Sequence, residues 1–388
     1  VDARAVKSLQ SLNSEIQEWL VRSAYPLWSA RGIDARSGGF VEALDQMAIP
    51  LDIPRRVRVQ ARQVYAFAQA GDLGWRGNAI EIAVRGIEYL ETRYRRRDGL
   101  FRALIRADGA VLDEQAVLYD QVFVLLGYAS AARLLPSCRR DFEARALELR
   151  LAIETQFLAP DGAYFSDERC GSRRESNPHM HFLEACLAWT EIGEHSGWKE
   201  NVARLVELAL RRFTHKQTGA IGEVFDVTQA PITHDGGRVE PGHQFEWAWL
   251  LLRSESYHSL PSREFALRLI SIGEEFGVHH GVAVNALLDD LSVKDTAARL
   301  WPQTERLKAA LHAACVTGES TYLLTAVAAV ASLISYLQTP VRGLWFDQRL
   351  QAGNFTNSPA PASTLYHVVA AAVELRQALG HRRPTSTV

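Results

Sequence analysis

The chain has 388 residues, of which 47% are hydrophobic and 23% charged, and its formal net charge is -2, with a pI near 6.7. That is the composition of a globular protein with ample material for a core and too little net charge for a disordered chain. The balance also lacks the basic surface that a phosphate backbone or an anionic lipid surface requires, which sets nucleic acid and membrane aside as partners.

Cys138, Cys170, Cys186 and Cys315 show no CxxC pair and no tight spacing. Neither a zinc knot nor a disulfide framework is expected, and reduced thiols in a cytoplasm fit best. The start lacks a basic stretch followed by an apolar run, and no segment approaches about eighteen uninterrupted apolar residues. Residues 381–388 read as a flexible tail behind a single domain over 1–380.

Apolar residues at helical spacing, such as Ile80, Ala83, Val84, Ile87 and Leu90, predict a mainly helical protein. In chain order the helices are expected at about 6–30, 56–71, 78–95, 115–134, 138–157, 178–194, 198–213, 243–257, 262–277, 303–315, 319–337 and 364–379. Between them one phrase recurs, a turn glycine followed by a short apolar run: Gly39-Phe40-Val41, Gly99-Leu100-Phe101, Gly162-Ala163-Tyr164, Gly219-Ala220-Ile221, Gly281-Val282-Ala283 and Gly343-Leu344-Trp345. These glycines lie 60, 63, 57, 62 and 62 residues apart. An interval of about sixty residues is room for two helices and their loops. Six helix pairs predict an all-α (α/α)6 toroid. An open solenoid is the alternative, but its usual repeats are shorter, about 33–47 residues.

About twenty residues beyond each repeat glycine stand Arg62, Asp120, His181, His243, Glu305 and His367, all polar or ionisable. Pro241-Gly242, Asn177-Pro178 and Trp301-Pro302 mark helix starts beside them. A closed ring gathers those starts at one mouth. Capping is the plain reading of any one position, but histidine is a poor cap, and three at equivalent places point to chemistry. The positive end of a helix disfavours imidazolium, so these rings are expected neutral and able to accept a proton. Glu184 and Glu246 each follow a histidine by three residues, the spacing of one helix face, and are expected to orient the rings of His181 and His243 or to tune their pKa.

His179-x-His181 and His279-His280 superficially resemble metal ligands, but no HExxH or cysteine partner accompanies them. No metal and no other cofactor is expected, and His179, His279 and His280 read as surface or loop residues. No GxGxxG or GxxxxGK[ST] opens a nucleotide site. Trp247, Trp249, Trp301 and Trp345 lie near the expected mouth; Trp247 and Trp249 read as core, and Trp301, just before Pro302, as a platform for a sugar.

The phrases Arg58-Val59-Gln60-Ala61-Arg62, Asn177-Pro178-His179-Met180-His181-Phe182-Leu183-Glu184-Ala185, Pro241-Gly242-His243-Gln244-Phe245-Glu246-Trp247, Trp301-Pro302-Gln303-Thr304-Glu305 and Tyr366-His367 together resemble the N-acylglucosamine 2-epimerase superfamily, over roughly residues 35 to 375. That superfamily includes bacterial mannose isomerases, sulfoquinovose isomerase and cellobiose 2-epimerases on an (α/α)6 barrel. The resemblance implies catalytic histidines at His243 and His367. It also implies a sugar site of Arg62, Asn177, His181, Glu246, Trp301 and Glu305, with Asp120 either in the site or bracing the ring. The implied chemistry is metal-free proton transfer at C2 through an enediol or enediolate.

The phrase Pro359-Ala360-Pro361-Ala362-Ser363-Thr364-Leu365-Tyr366-His367 resembles the free-mannose isomerases, which makes D-mannose to D-fructose the first expectation. N-acylglucosamine or cellobiose-type 2-epimerisation is the alternative. From other classes, a glycoside hydrolase would need two opposed carboxylic acids, for which Asp120 and Glu305 are the candidates, and a binding module would have no need of two bases. The partner is a small carbohydrate; a homodimer is compatible with the sequence.

Overall fold

The computed structural model describes residues 2–169, 174–225 and 237–381. Helix α1 (Ala3–Trp19) runs through one π turn, Leu20–Ala24, into α2 (Tyr25–Arg31). There follow α3 (Val57–Ala68), α4 (Ala79–Arg93), α5 (Leu118–Leu134), α6 (Arg139–Phe157), α7 (Ser176–Ile192), α8 (Gly197–Arg211), α9 (Pro241–Ser254), α10 (Ser262–Gly277), α11 (Trp301–Thr317), α12 (Ser320–Tyr336) and α13 (Ala362–His381). Helices α3, α5, α7, α9, α11 and α13 each pack on the next, and α13 packs back on α3. The inner ring is therefore closed, an (α/α)6 barrel and not an open solenoid.

Inner helices are touched on every side, so α9 is buried from Pro241 to Leu252, whereas outer α10 buries only one stripe, including Ala266, Leu269, Ile270 and Gly273. The helix expected at 243–257 starts at Pro241, and that at 303–315 starts at Trp301. Proline needs no backbone N–H in the first turn, so these prolines lie inside the helices they introduce. The expected tail begins at His381, the last residue of α13, and otherwise lies outside the described residues.

Short pairings stitch each repeat to the next around one mouth. The residues entering an inner helix pair with the loop of the following repeat: Arg55–Arg56 with Leu104–Ile105, Val117 with Asp167, Arg174–Glu175 with Val224–Phe225, Val239 with Leu287, and Ala298–Arg299 with Gln348–Arg349. The sixth, Ala360–Pro361 with Ala43–Leu44, joins the last repeat to the first.

A buried side chain then pins five of the six recurrent apolar runs. Gln60 bonds both the N–H and the C=O of Phe40, Gln121 those of Phe101, Gln244 those of Ile221 and Gln303 those of Ala283, all at 2.8–2.9 Å. Each satisfies two backbone groups that would otherwise be buried bare. In the third repeat His179 takes this place: its Nε2 accepts from the Tyr164 N–H at 2.9 Å. His179 is fully buried, so the expected surface residue is a structural staple.

The turn glycines Gly99, Gly162, Gly219, Gly281 and Gly343 have φ between 77° and 96°. In the first repeat that role falls to Gly38 at 76°. Gly39 is needed for another reason, since a Cβ there would lie 2.3 Å from the ring of Tyr89. Trp345 also departs from expectation, stacking on Trp28 at 4.9 Å in the core instead of facing the mouth.

Candidate active site

All six inner helices present their N-termini to the stitched mouth, where a cavity of about 630 Å³ opens. Arg62, Asn177, His181, His243, Glu246, Trp301 and His367 line it together, from α3, α7, α9, α11 and α13. The structure thus brings seven of the nine expected site residues to one space. Asp120 and Glu305 do not line it. Asp120 is fully buried, 2.8 Å from Nη1 of Arg58, and it is Arg58 that faces the cavity. Glu305, also fully buried, stands behind His367 with its Oε1 2.8 Å from Nδ1. This pair therefore does not flank the cavity as two opposed acids.

Trp301 carries both outer histidines: its ring lies 5.0 Å from that of His243 and 5.6 Å from that of His367. Each histidine is held at Nδ1 by a carboxylate, His243 by Glu223 Oε2 at 2.8 Å and His367 by Glu305. Nε2 of each ring is left for a ligand.

Their charges differ. For His243 burial opposes protonation, but Glu223, then Glu240, outweigh it and raise the imidazole to about 9. The expectation of a neutral ring from the helix dipole fails here because two full carboxylate charges exceed a partial helix charge. For His367 burial, reinforced by the cations of Arg62 and Lys308, drives the pKa well below the ordinary value. These shifts favour a protonated His243 and a neutral His367 at neutral pH.

His181 pairs as expected with Glu184, Nδ1 to Oε2 at 2.9 Å, and burial lowers it to about 4. Glu184 resists the burial that would protonate it, because His181, Lys308 and the Tyr366 hydroxyl hold it near 2. Glu246 does not orient His243. Its two oxygens are buried without a hydrogen-bond partner among the described residues, and burial followed by repulsion from Glu305 keeps its proton on. Arg62 donates from Nη2 to the Tyr119 hydroxyl at 2.6 Å and lies 4.0 Å over the Phe123 ring. Its guanidinium is almost wholly buried, which strengthens its pull on any negative oxygen in the cavity.

Three groups place ligand-capable atoms close together: His181, Glu184 and Glu246; Glu223, Glu240 and His243; and Glu246, Glu305 and His367. Two of the three draw on different inner helices, so spacing along the chain does not reveal them. Sequence reasoning also missed Glu223, Tyr119 and Lys308, whose importance lies only in what they touch across the ring.

Residues 38–371 match the N-acylglucosamine 2-epimerase (GlcNAc 2-epimerase) family. The chain belongs to this family. Like the family's other members it is an enzyme of the sugar isomerase and epimerase class. A relative from Rhizobium meliloti (strain 1021), the "Mannose-6-phosphate isomerase", is 42% identical over 374 residues, covering 94% of this chain and 97% of its own. Two solved structures share the fold of this family member. A D-mannose isomerase aligns with a TM-score of 0.85 at 21% identity, over 95% of this chain and 97% of that one. A cellobiose 2-epimerase from Spirochaeta thermophila DSM 6192 aligns with 0.86 at 21%, over 97% and 98%. Among the described residues, no helix is long and apolar enough to cross a membrane.

Proposed function

We propose that this enzyme interconverts D-mannose and D-fructose by proton transfers between the sugar and two histidines, without a metal. The observation that carries the reading is the placing of His243 and His367 on one indole at the cavity, each held at Nδ1 by a carboxylate; the opposite shifts of the two rings support it. With the open-chain aldose over Trp301, Nε2 of His367 removes the C2 proton, and the C2–H electrons form the C1=C2 bond as the carbonyl electrons move to O1. Arg62 and the Nε2–H of His243 stabilise the oxygen charge, and His243 passes its proton to O1. His243 then takes the O2 proton while His367 returns its own to C1. Both histidines end as they began, and a ketose leaves. His181 and Asn177 contact sugar hydroxyls, and Glu246, as a neutral acid, donates to one.

The 42% identical relative supports an aldose–ketose reaction over epimerisation at C2. Its name also favours a second reading, a hexose phosphorylated at C6, to which Arg56, Arg58, Arg238 and Arg299 on the cavity wall add cationic weight. Incubation with D-mannose and with D-mannose 6-phosphate in parallel separates the two by kcat/KM. Glucose or glucose 6-phosphate as first product would replace isomerisation with epimerisation, and the next substrates are then N-acylglucosamine and cellobiose.

A further inference from the structure

Of five lysines, Lys7, Lys199, Lys216 and Lys294 are exposed, and Lys308 alone is fully buried. It lies among the inner helices, one turn after Glu305 on α11. Its Nζ is 2.6 Å from Glu305 Oε2 and 3.5 Å above the ring of Trp249 on α9. A buried ammonium persists only where a partner compensates its lost hydration. That partner is the same carboxylate whose other oxygen, Oε1, meets His367 Nδ1 at 2.8 Å and accepts from Thr304 Oγ1 at 3.0 Å. Lys308, Glu305 and His367 therefore form one line of contacts that ends at the cavity.

We propose that Lys308 is a positioning residue: its ammonium fixes Glu305 as a carboxylate, which holds His367 with its proton on Nδ1 and its Nε2 lone pair turned to the cavity. The tautomer follows from the acceptor. An ionised Glu305 can only accept, so Nδ1 must donate. A protonated Glu305 can donate to Nδ1, which moves the ring proton to Nε2 and removes the lone pair that a base needs. The groups facing this line from the neighbouring helices are Arg62 of α3, His181 and Glu184 of α7, His243 and Glu246 of α9, and Glu374 of α13. Burial, and then the charge of Glu184, push a proton toward Glu305, and Lys308 is the ammonium placed to oppose them.

The inference rests on His367 as the base. It is tested with Lys308→Met and Lys308→Arg, by pH–rate profiles and by ¹⁵N NMR of histidine-labelled protein. Wild type is expected to show His367 as the Nδ1–H tautomer at neutral pH. Lys308→Met is expected to show Nε2–H, to lose about 10²- to 10³-fold in kcat at pH 7 with little change in KM, and to regain activity as pH rises and Glu305 deprotonates. Lys308→Arg, which keeps the cation, should retain the Nδ1–H tautomer and the wild-type profile shape. Added to Glu305→Gln, Lys308→Met should cost nothing further.

A Lys308→Met protein with wild-type tautomer and pH profile, even if less stable, would overturn the proposal, as would Nε2–H in wild type. If Lys308→Met does not fold, Lys308→Met/Glu246→Gln removes a buried acid along with the ammonium. Its His367 tautomer then decides between the same two outcomes, Nε2–H supporting the proposal and Nδ1–H overturning it. Wild-type protein that turns over no hexose overturns the isomerase reading instead, which keeps the two failures apart.

Discussion

Glu223 lies in the connection before α9, and its Oε2 is 2.8 Å from Nδ1 of His243, twenty residues along the chain. This contact, with Glu240 beside it, keeps the proton on His243, whereas His367, with a like contact to Glu305, is driven the other way by burial and the cations of Arg62 and Lys308, although both stand in the first two turns of inner helices. His243, raised to about 9 in the folded protein from an ordinary 6.5, acts as an acid only while protonated. The basic limb of kcat/KM should therefore fall near pH 9. Glu223→Gln should move that limb down by a unit or more, about 1 unit being the size of one such charge partner, as read from pH–rate profiles. The raised affinity of His243 for its proton stabilises the fold fully below about 6.5, a contribution lost as pH rises through about 9, so the melting temperature of wild type should fall across that window and that of Glu223→Gln should fall less.

Replacing His367 or His243 by Asn removes the proton carrier while keeping a polar side chain of similar reach. Each change should lower kcat by about 10²- to 10⁴-fold with sugar binding, followed by calorimetry, largely retained. Turnover undiminished in both would remove them from the chemistry.

Asp120 should behave as a brace. Asp120→Asn weakens the hold on Arg58, which is a quarter exposed, and should cost about 1–3 kcal/mol in urea unfolding, with kcat within a few-fold of wild type. A loss of kcat comparable to that of His367→Asn would place Asp120 in the reaction.

The staples make a prediction about the fold alone. Gln244→Ala strips partners from both the N–H and the C=O of Ile221, which are buried. The expected loss is about 2–4 kcal/mol, seen as a lower urea midpoint with unchanged slope.

Much of this arrangement was legible in the sequence because the ring repeats. The spaced glycines report a left-handed turn required once per hairpin, and the polar residues beyond them report helix starts that share a mouth. The staples were also present as a pattern, since Gln60, Gln121 and Gln303 each follow their backbone partner by 20 residues, but the histidine in place of the third glutamine looked like a metal ligand beside His181. Glu223 and Lys308 left no such trace. Glu223 sits in a connection with no fixed register to α9, and Lys308 shares a face with Glu305 but reveals its burial only when α9 covers it with Trp249. Helix spacing gave Glu184 to His181, whereas the nitrogen of His243 that Glu246 was expected to orient is taken by Glu223, a carboxylate from outside the helix.

The central claim, metal-free transfer of a proton from C2 to C1, is tested most directly by proton NMR of D-mannose, and in parallel D-mannose 6-phosphate, in D₂O with chelator-treated enzyme. The account predicts the ketose as first product, with solvent deuterium at C1 to the extent that His367 exchanges its proton, and with turnover unaffected by EDTA. Loss of turnover on chelation, restored by a divalent metal, or the C2 epimer as first product, would contradict it.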